Sequence, residues 1–140
     1  MKKITTFLMF NDRAGEAVNF YTSIFKNSSI TSTTPGPDGT VMSATFQIDG
    51  QEFYAFNGGP HFSFSEGISL FVSCEGQAEV DDLWDKFIAD GGEESQCGWL
   101  KDKFGVSWQI IPTALGRLLG DPDPEKAGRV MQAMLKMRKI

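Results

Sequence analysis

The chain has 140 residues, 41% hydrophobic and 22% charged, enough apolar material for one folded domain and too much for a disordered one. Thirteen Lys and Arg against eighteen Asp and Glu leave a net charge of −5, and basic residues cluster only at Lys136, Arg138 and Lys139, which argues against a nucleic-acid partner. No run approaches the roughly 18 apolar residues of a membrane span, and two cysteines without metal-ligand spacing, Cys74 and Cys97, fit a reducing cytoplasm better than a disulfide scaffold.

Lys2-Lys3 before the apolar residues 4–10 resembles the start of a secretion signal. Thr5 and Thr6 dilute that run and Asn11-Asp12-Arg13 cuts it short, so a first strand is expected instead. Asp12 is positioned to cap a helix whose apolar stripe is Ala17, Phe20, Tyr21, Ile24 and Phe25. A weakly marked strand around residues 30–34, the turn Pro35-Gly36-Pro37-Asp38-Gly39, a strand Val41–Ile48, the tight turn Asp49-Gly50 and a strand over 51–56 complete the segment. Residues 58–66 then read as a connector rich in Gly, Pro and Ser.

The same programme follows a second time. Ser69-Leu70-Phe71-Val72 reads as a strand, and Val80, Leu83, Trp84, Phe87 and Ile88 reproduce the first helical stripe at a constant offset of 63 residues. Gly91-Gly92 ends that helix, 93–96 is a weak strand, and Trp99–Lys101 and residues 106–111 form a hairpin around Asp102-Lys103-Phe104-Gly105. Aligning Gly50 with Gly105 sets Tyr54 opposite Gln109. Past Pro112 come a short helix over 114–119 ended by Gly120, and a second helix capped by Asp123 with Pro124 in its first turn. The stripe of that last helix, Ala127, Val130, Met131, Met134 and Leu135, suits either core filling or contact with another subunit.

These elements define an α+β chain of one domain. Two tandem βαβββ modules, 1–57 and 67–112, are joined by the connector 58–66 and followed by a helical extension, 113–140. One helix per module on antiparallel strands predicts a curved mixed sheet, helices outside, with an open, concave inner face and a cleft between the modules as the natural ligand site.

Paired βαβββ modules with the segments TFLMFNDRAGEAVNFYTSIF, FNGGPHFSFSEGISLFVSCE, CGWLKDKFGVSWQIIP and DPDPEKAGRVMQAMLKM resemble the vicinal oxygen chelate superfamily of glyoxalase I, extradiol dioxygenases and bleomycin-resistance proteins. More narrowly, they resemble its PhnB-like, or 3-demethylubiquinone-9 3-methyltransferase-like, group. The resemblance implies a concave pocket and a homodimer able to exchange modules. It also implies that metal-using members draw His, Glu or occasionally Gln ligands from the first and last strands of each module. Those positions correspond here to Thr6 (or Thr5), Tyr54, Ser69 (or Ile68) and Gln109.

Hydroxyls and one amide are poor ligands for a divalent cation without a negative partner, so a bound metal is disfavoured and no cofactor is expected. S-adenosylmethionine chemistry is disfavoured too, since neither Gly58-Gly59 nor Gly91-Gly92 gives a nucleotide-type glycine turn. The leading expectation is metal-independent binding of a small organic molecule by Thr6, Tyr54, Ser69 and Gln109, with Phe71 and Trp99 as apolar walls. One alternative is an enzyme of glyoxalase or dioxygenase type, a lyase or isomerase, in which the single histidine, His61, is the acid–base candidate. The other is a dimeric interaction module using the Met-rich terminal helix.

Overall fold

The computed structural model of the chain describes residues 3–140, so Lys2 of the N-terminal run lies outside the described residues. The chain divides into two compact units, one ending at Ser63 and one starting at Phe64. The first contains β1 (Thr6–Phe10), α1 (Ala14–Ile24), β2 (Ser28–Pro35), β3 (Val41–Ile48) and β4 (Gln51–Asn57). The second contains β5 (Leu70–Cys74), α2 (Gln77–Ile88), β6 (Glu93–Glu94), β7 (Trp99–Lys101), β8 (Ser107–Pro112), α3 (Thr113–Leu119) and α4 (Pro124–Met134).

Each unit builds one four-stranded mixed sheet, in the orders β1-β4-β3-β2 and β5-β8-β7-β6. The first strand of each module runs parallel to the last, and the remaining pairs are antiparallel. The βαβββ duplication inferred from the helical stripes is thus present as two sheets of identical connectivity.

Strand alternation decides what each face does. In the first unit Leu8, Phe10, Ala44, Phe46, Phe53 and Ala55 are buried toward α1, which contributes Ala14, Ala17, Val18 and Tyr21. Phe46 stacks on Phe53 at 5.2 Å between centroids and on Tyr21 at 6.3 Å. In the second unit Val80, Leu83, Trp84 and Phe87 of α2 are buried with Leu100, Trp108 and Ile110, and the Phe87 and Trp108 rings lie 4.6 Å apart. The opposite face of each sheet carries no helix of its own module, and its residues alternate out of the core.

One expectation requires correction, and one of the two readings of the α4 stripe, core filling, falls. Asp12 does not cap α1: the N-cap position is Arg13, without a side-chain cap bond, and the Ala14 N–H donates to Asn57 Oδ1 at 2.8 Å. Asn57 also donates through Nδ2 to the Val41 carbonyl at 3.1 Å, so a residue 43 positions away satisfies the helix end that a local residue was expected to satisfy. The stripe of α4 is not buried either. No residue of α4 reaches the core, and Met131 and Leu135 are exposed. Its predicted cap holds, with Asp123 Oδ1 accepting from Glu125 N at 3.0 Å.

Candidate functional site

Cross-strand register fixes which candidate residues share a face. In β5 and β8 Phe71 pairs with Gln109, and in β7 and β8 Trp99 pairs with Gln109, so Phe71, Gln109 and Trp99 form one row across the open face of the second sheet. Ser69, two residues before Phe71, lies on the same side, and Gln109 Nε2 donates to Ser69 Oγ at 3.0 Å. That bond fixes the amide orientation and leaves Oε1 as an acceptor. Four of the predicted residues therefore converge. Phe71 is 58% exposed on this face.

The first unit has the corresponding face. Phe7 pairs with Tyr54, and the rings of Phe7, Tyr54 and Phe56 meet at 6.2 and 6.3 Å between centroids. A cavity of about 310 Å³ opens there, lined by those three aromatics and by the hydroxyl residues Ser32, Thr34, Ser43 and Thr45. Thr6 is elsewhere. It pairs with Phe53, a core residue, and so points to the α1 side of the sheet, away from Tyr54. The 63-residue helix offset was carried into the strands, but three residues separate β1 from α1 and only two separate β5 from α2. The strand offset is 64, which matches Phe7 to Phe71 and Thr5 to Ser69. A one-residue slip in a strand exchanges its two faces.

His61 sits exposed in the segment between β4 and β5 and is part of the first unit. No hydrogen bond or ion pair involving it is present among the described residues. Cys74 is wholly buried in the second unit, where burial pushes its thiol up to about 11, with the Glu79 charge adding to the rise. A thiol raised in this way stays protonated and unreactive at neutral pH, and only above about pH 11 does the thiolate dominate. Alkylation of the native protein at pH 7.5 is therefore expected to modify partly exposed Cys97 well before Cys74, with mass mapping of the labelled peptides as the readout.

Asp102, which the sequence marks only as part of the hairpin turn, is a buried acceptor. It is 3% exposed, and its carboxylate accepts from Phe104 N at 2.9 Å, Val106 N at 3.0 Å and Trp108 Nε1 at 2.9 Å. Together with Gly105, at φ +94°, it fixes the β7–β8 turn and hence the placement of Gln109. The available signal was the adjacent tryptophan: a buried indole N–H requires an acceptor, and Asp102 is the nearest carboxylate in sequence.

Metal-using proteins of this fold need ligands with basic lone pairs. At the positions in question the chain places Thr5, Tyr54, Ser69 and Gln109, and among the described residues no group of three or more His, Cys, Asp or Glu side chains could hold an ion. The donor set present does not fit a divalent transition metal. No helix among the described residues is long and apolar enough to cross a membrane.

Two βαβββ units, each with an open face beside its parallel strand pair, define the glyoxalase and bleomycin-resistance class of fold. Structures of this class resemble the chain at low identity. A glyoxalase-related enzyme from Fulvimarina pelagi is 14% identical with a TM-score of 0.55 over 81% of this chain and 91% of its own. The fosfomycin resistance protein FosX from Listeria monocytogenes, complexed with Mn(II) and sulfate, is 16% identical with a TM-score of 0.56, covering 77% of this chain and 90% of its own. Within the class, the sequence model of 3-demethylubiquinone-9 3-methyltransferase matches residues 2–111, and the chain belongs to that family. A PhnB protein from Bacillus cereus, named for the same methyltransferase, is 40% identical with a TM-score of 0.75, over 80% of this chain and all of its own. No curated protein matches the chain.

Proposed function

We propose that this protein binds small, flat organic molecules without the help of a metal ion, on the open faces of its two sheets. The observation that carries the reading is the cavity of the first unit. Its volume of about 310 Å³ lies at the lower end of the range for small-molecule sites, and its wall pairs three aromatic side chains with a base of hydroxyls. Aromatic walls supply apolar contact, and hydroxyls that both donate and accept suit an uncharged ring bearing oxygen substituents. The row of Phe71, Gln109 and Trp99 repeats the same combination in the second unit, with an amide in place of the hydroxyls. We take a homodimeric, cytoplasmic protein as the setting of this activity. Methyl transfer, despite the family's name, is not part of the proposal.

Thermal-shift screening and calorimetric titration of chelator-treated protein provide the test. Phenolic and quinone-like compounds are expected to raise the melting temperature. Tyr54→Ala is expected to weaken their binding about tenfold, the worth of one aromatic contact and one hydrogen bond. Tyr54 is 39% exposed, so the same variant is expected to lose no more than about 1 kcal/mol of folding stability. Tight, stoichiometric binding of Mn(II), Ni(II) or Zn(II) would sink the metal-independent reading.

A further inference from the structure

The open face of the second unit ends in a smaller cavity, of about 140 Å³, at the β6–β7 edge. Register places Glu93, Lys101 and Ser107 side by side on three strands, and Trp99 lies one same-face position further along β7, about 7 Å away by strand geometry. Glu66, from the segment before β5, reaches into the same lining, its Oε1 2.8 Å from Lys101 Nζ.

Three properties of this set have no role in holding the fold. Ser107 is 3% exposed, lines the cavity, and forms no side-chain hydrogen bond. No fully enclosed side-chain oxygen or nitrogen among the described residues lacks a partner, so the Ser107 hydroxyl keeps its freedom only by facing the cavity. Among the described residues Glu93 makes no ion pair: Lys101, its partner in register, bonds Glu66 and takes only a lesser, longer-range contribution from the Glu93 charge. Trp99 adds an indole to the lining, with no ring partner of its own.

Charge selects the ligand. Glu66 and Lys101 neutralise each other; each holds the other in its ionised form, the Glu66 carboxyl below its ordinary range and the Lys101 ammonium above it. Glu94 is engaged by Trp84 Nε1 at 3.0 Å and Arg138 at 3.8 Å. Glu93 is the surplus, so the cavity is net negative and an anion has no free cation to meet. A primary ammonium has three N–H donors, enough for the Glu93 carboxylate, the Ser107 hydroxyl and the second oxygen of Glu66, and an attached apolar body would rest on Trp99 in a cation–π and stacking arrangement.

We propose that this cavity binds a small primary amine, its ammonium between Glu93 and Ser107 and its apolar body against Trp99. The inference rests on the reading that the open faces take small organic molecules, and it adds the charge class for the second unit. A volume of about 140 Å³ limits the enclosed part to a compact group.

Benzylamine and benzyl alcohol, matched in shape and differing in charge, are the probes. They are titrated at low salt by calorimetry into the wild type and into Glu93→Gln, Ser107→Ala and Asn19→Ala. Benzylamine is expected to bind about tenfold tighter than the alcohol, as one charge-assisted contact provides. Glu93→Gln is expected to erase that preference, Ser107→Ala to reduce it, and Asn19→Ala, on the exposed side of α1 in the other unit, to leave it intact. Equal affinity for the two probes in the wild type, or a preference that survives Glu93→Gln, would overturn the amine site while leaving the broader reading standing. Binding of neither probe would overturn both.

Discussion

Asp102→Ala is expected to be among the most damaging single substitutions in this chain, lowering stability by roughly 3–5 kcal/mol as two buried donors and one half-buried donor lose the carboxylate that accepts from them. The carboxylate is 3% exposed and collects the N–H groups of Phe104 and Val106 and the indole N–H of Trp108. Water cannot replace it, and Trp108, 2% exposed and packed on Phe87, cannot turn to find another partner. Urea unfolding followed by tryptophan fluorescence should show the loss as a lower midpoint with little change in slope. Asp102→Asn separates shape from charge. Its amide oxygen can still serve the two backbone donors, but its NH₂ group faces the Trp108 donor, so a loss intermediate between wild type and alanine is expected. A wild-type midpoint in Asp102→Ala would mean that the hairpin does not depend on the buried carboxylate.

Phe46→Ala tests the core of the first unit, and a loss of about 3–5 kcal/mol is expected from burial and cavity formation together. Phe46 is fully buried and stacks on both Phe53 and Tyr21, so it joins the sheet to α1. Its neighbours are rings whose own positions are fixed by stacking, and partial collapse cannot refill the space. Phe46→Leu keeps most of the volume and should lose about a third as much. Phe62→Ala is the control: at 58% exposure in the segment before β5, it should change stability by less than about 0.5 kcal/mol. Differential scanning calorimetry reads all three. A Phe46→Ala protein as stable as the control would place the core of this unit elsewhere.

The architecture was legible in the sequence because its main signals are local and periodic. Helical stripes with 3.6-residue spacing, the Asp49-Gly50 turn, the Asp102 to Gly105 turn and the Asp123-Pro124 helix start each depend on a few adjacent residues, and all appear where they were expected. Trp99–Lys101 and Val41–Ile48 were bounded to the residue. The duplication followed from two matching stripes, whereas the strand order and the parallel pairing of first and last strands are seen only in the structure. Gln109, Ser69, Phe71 and Trp99 share one face of the second sheet, since alternation along a strand names the residues of a face once a single member is placed.

What stayed hidden depends on contacts distant in sequence or on a count of one residue. Asn57 supplies the cap that Asp12 was expected to give, because helix ends are satisfied by whatever acceptor the fold brings near, and β4 ends beside the start of α1. The face of Thr6 turned on a single extra residue between β1 and α1, a difference too small for a helical repeat to register and large enough to exchange the two sides of a strand.

The sequence by itself determined the two modules and most of their secondary structure, because short-range periodicity suffices for these. Only the tertiary structure decided that Phe7 rather than Thr6 stands beside Tyr54, that Asp102 is a buried acceptor rather than a surface charge, and that Ser107 keeps a free hydroxyl beside an unpaired Glu93. Burial and cross-strand register are properties of packed neighbours, and the strength of every polar interaction in these sites depends on which side of the sheet those neighbours occupy.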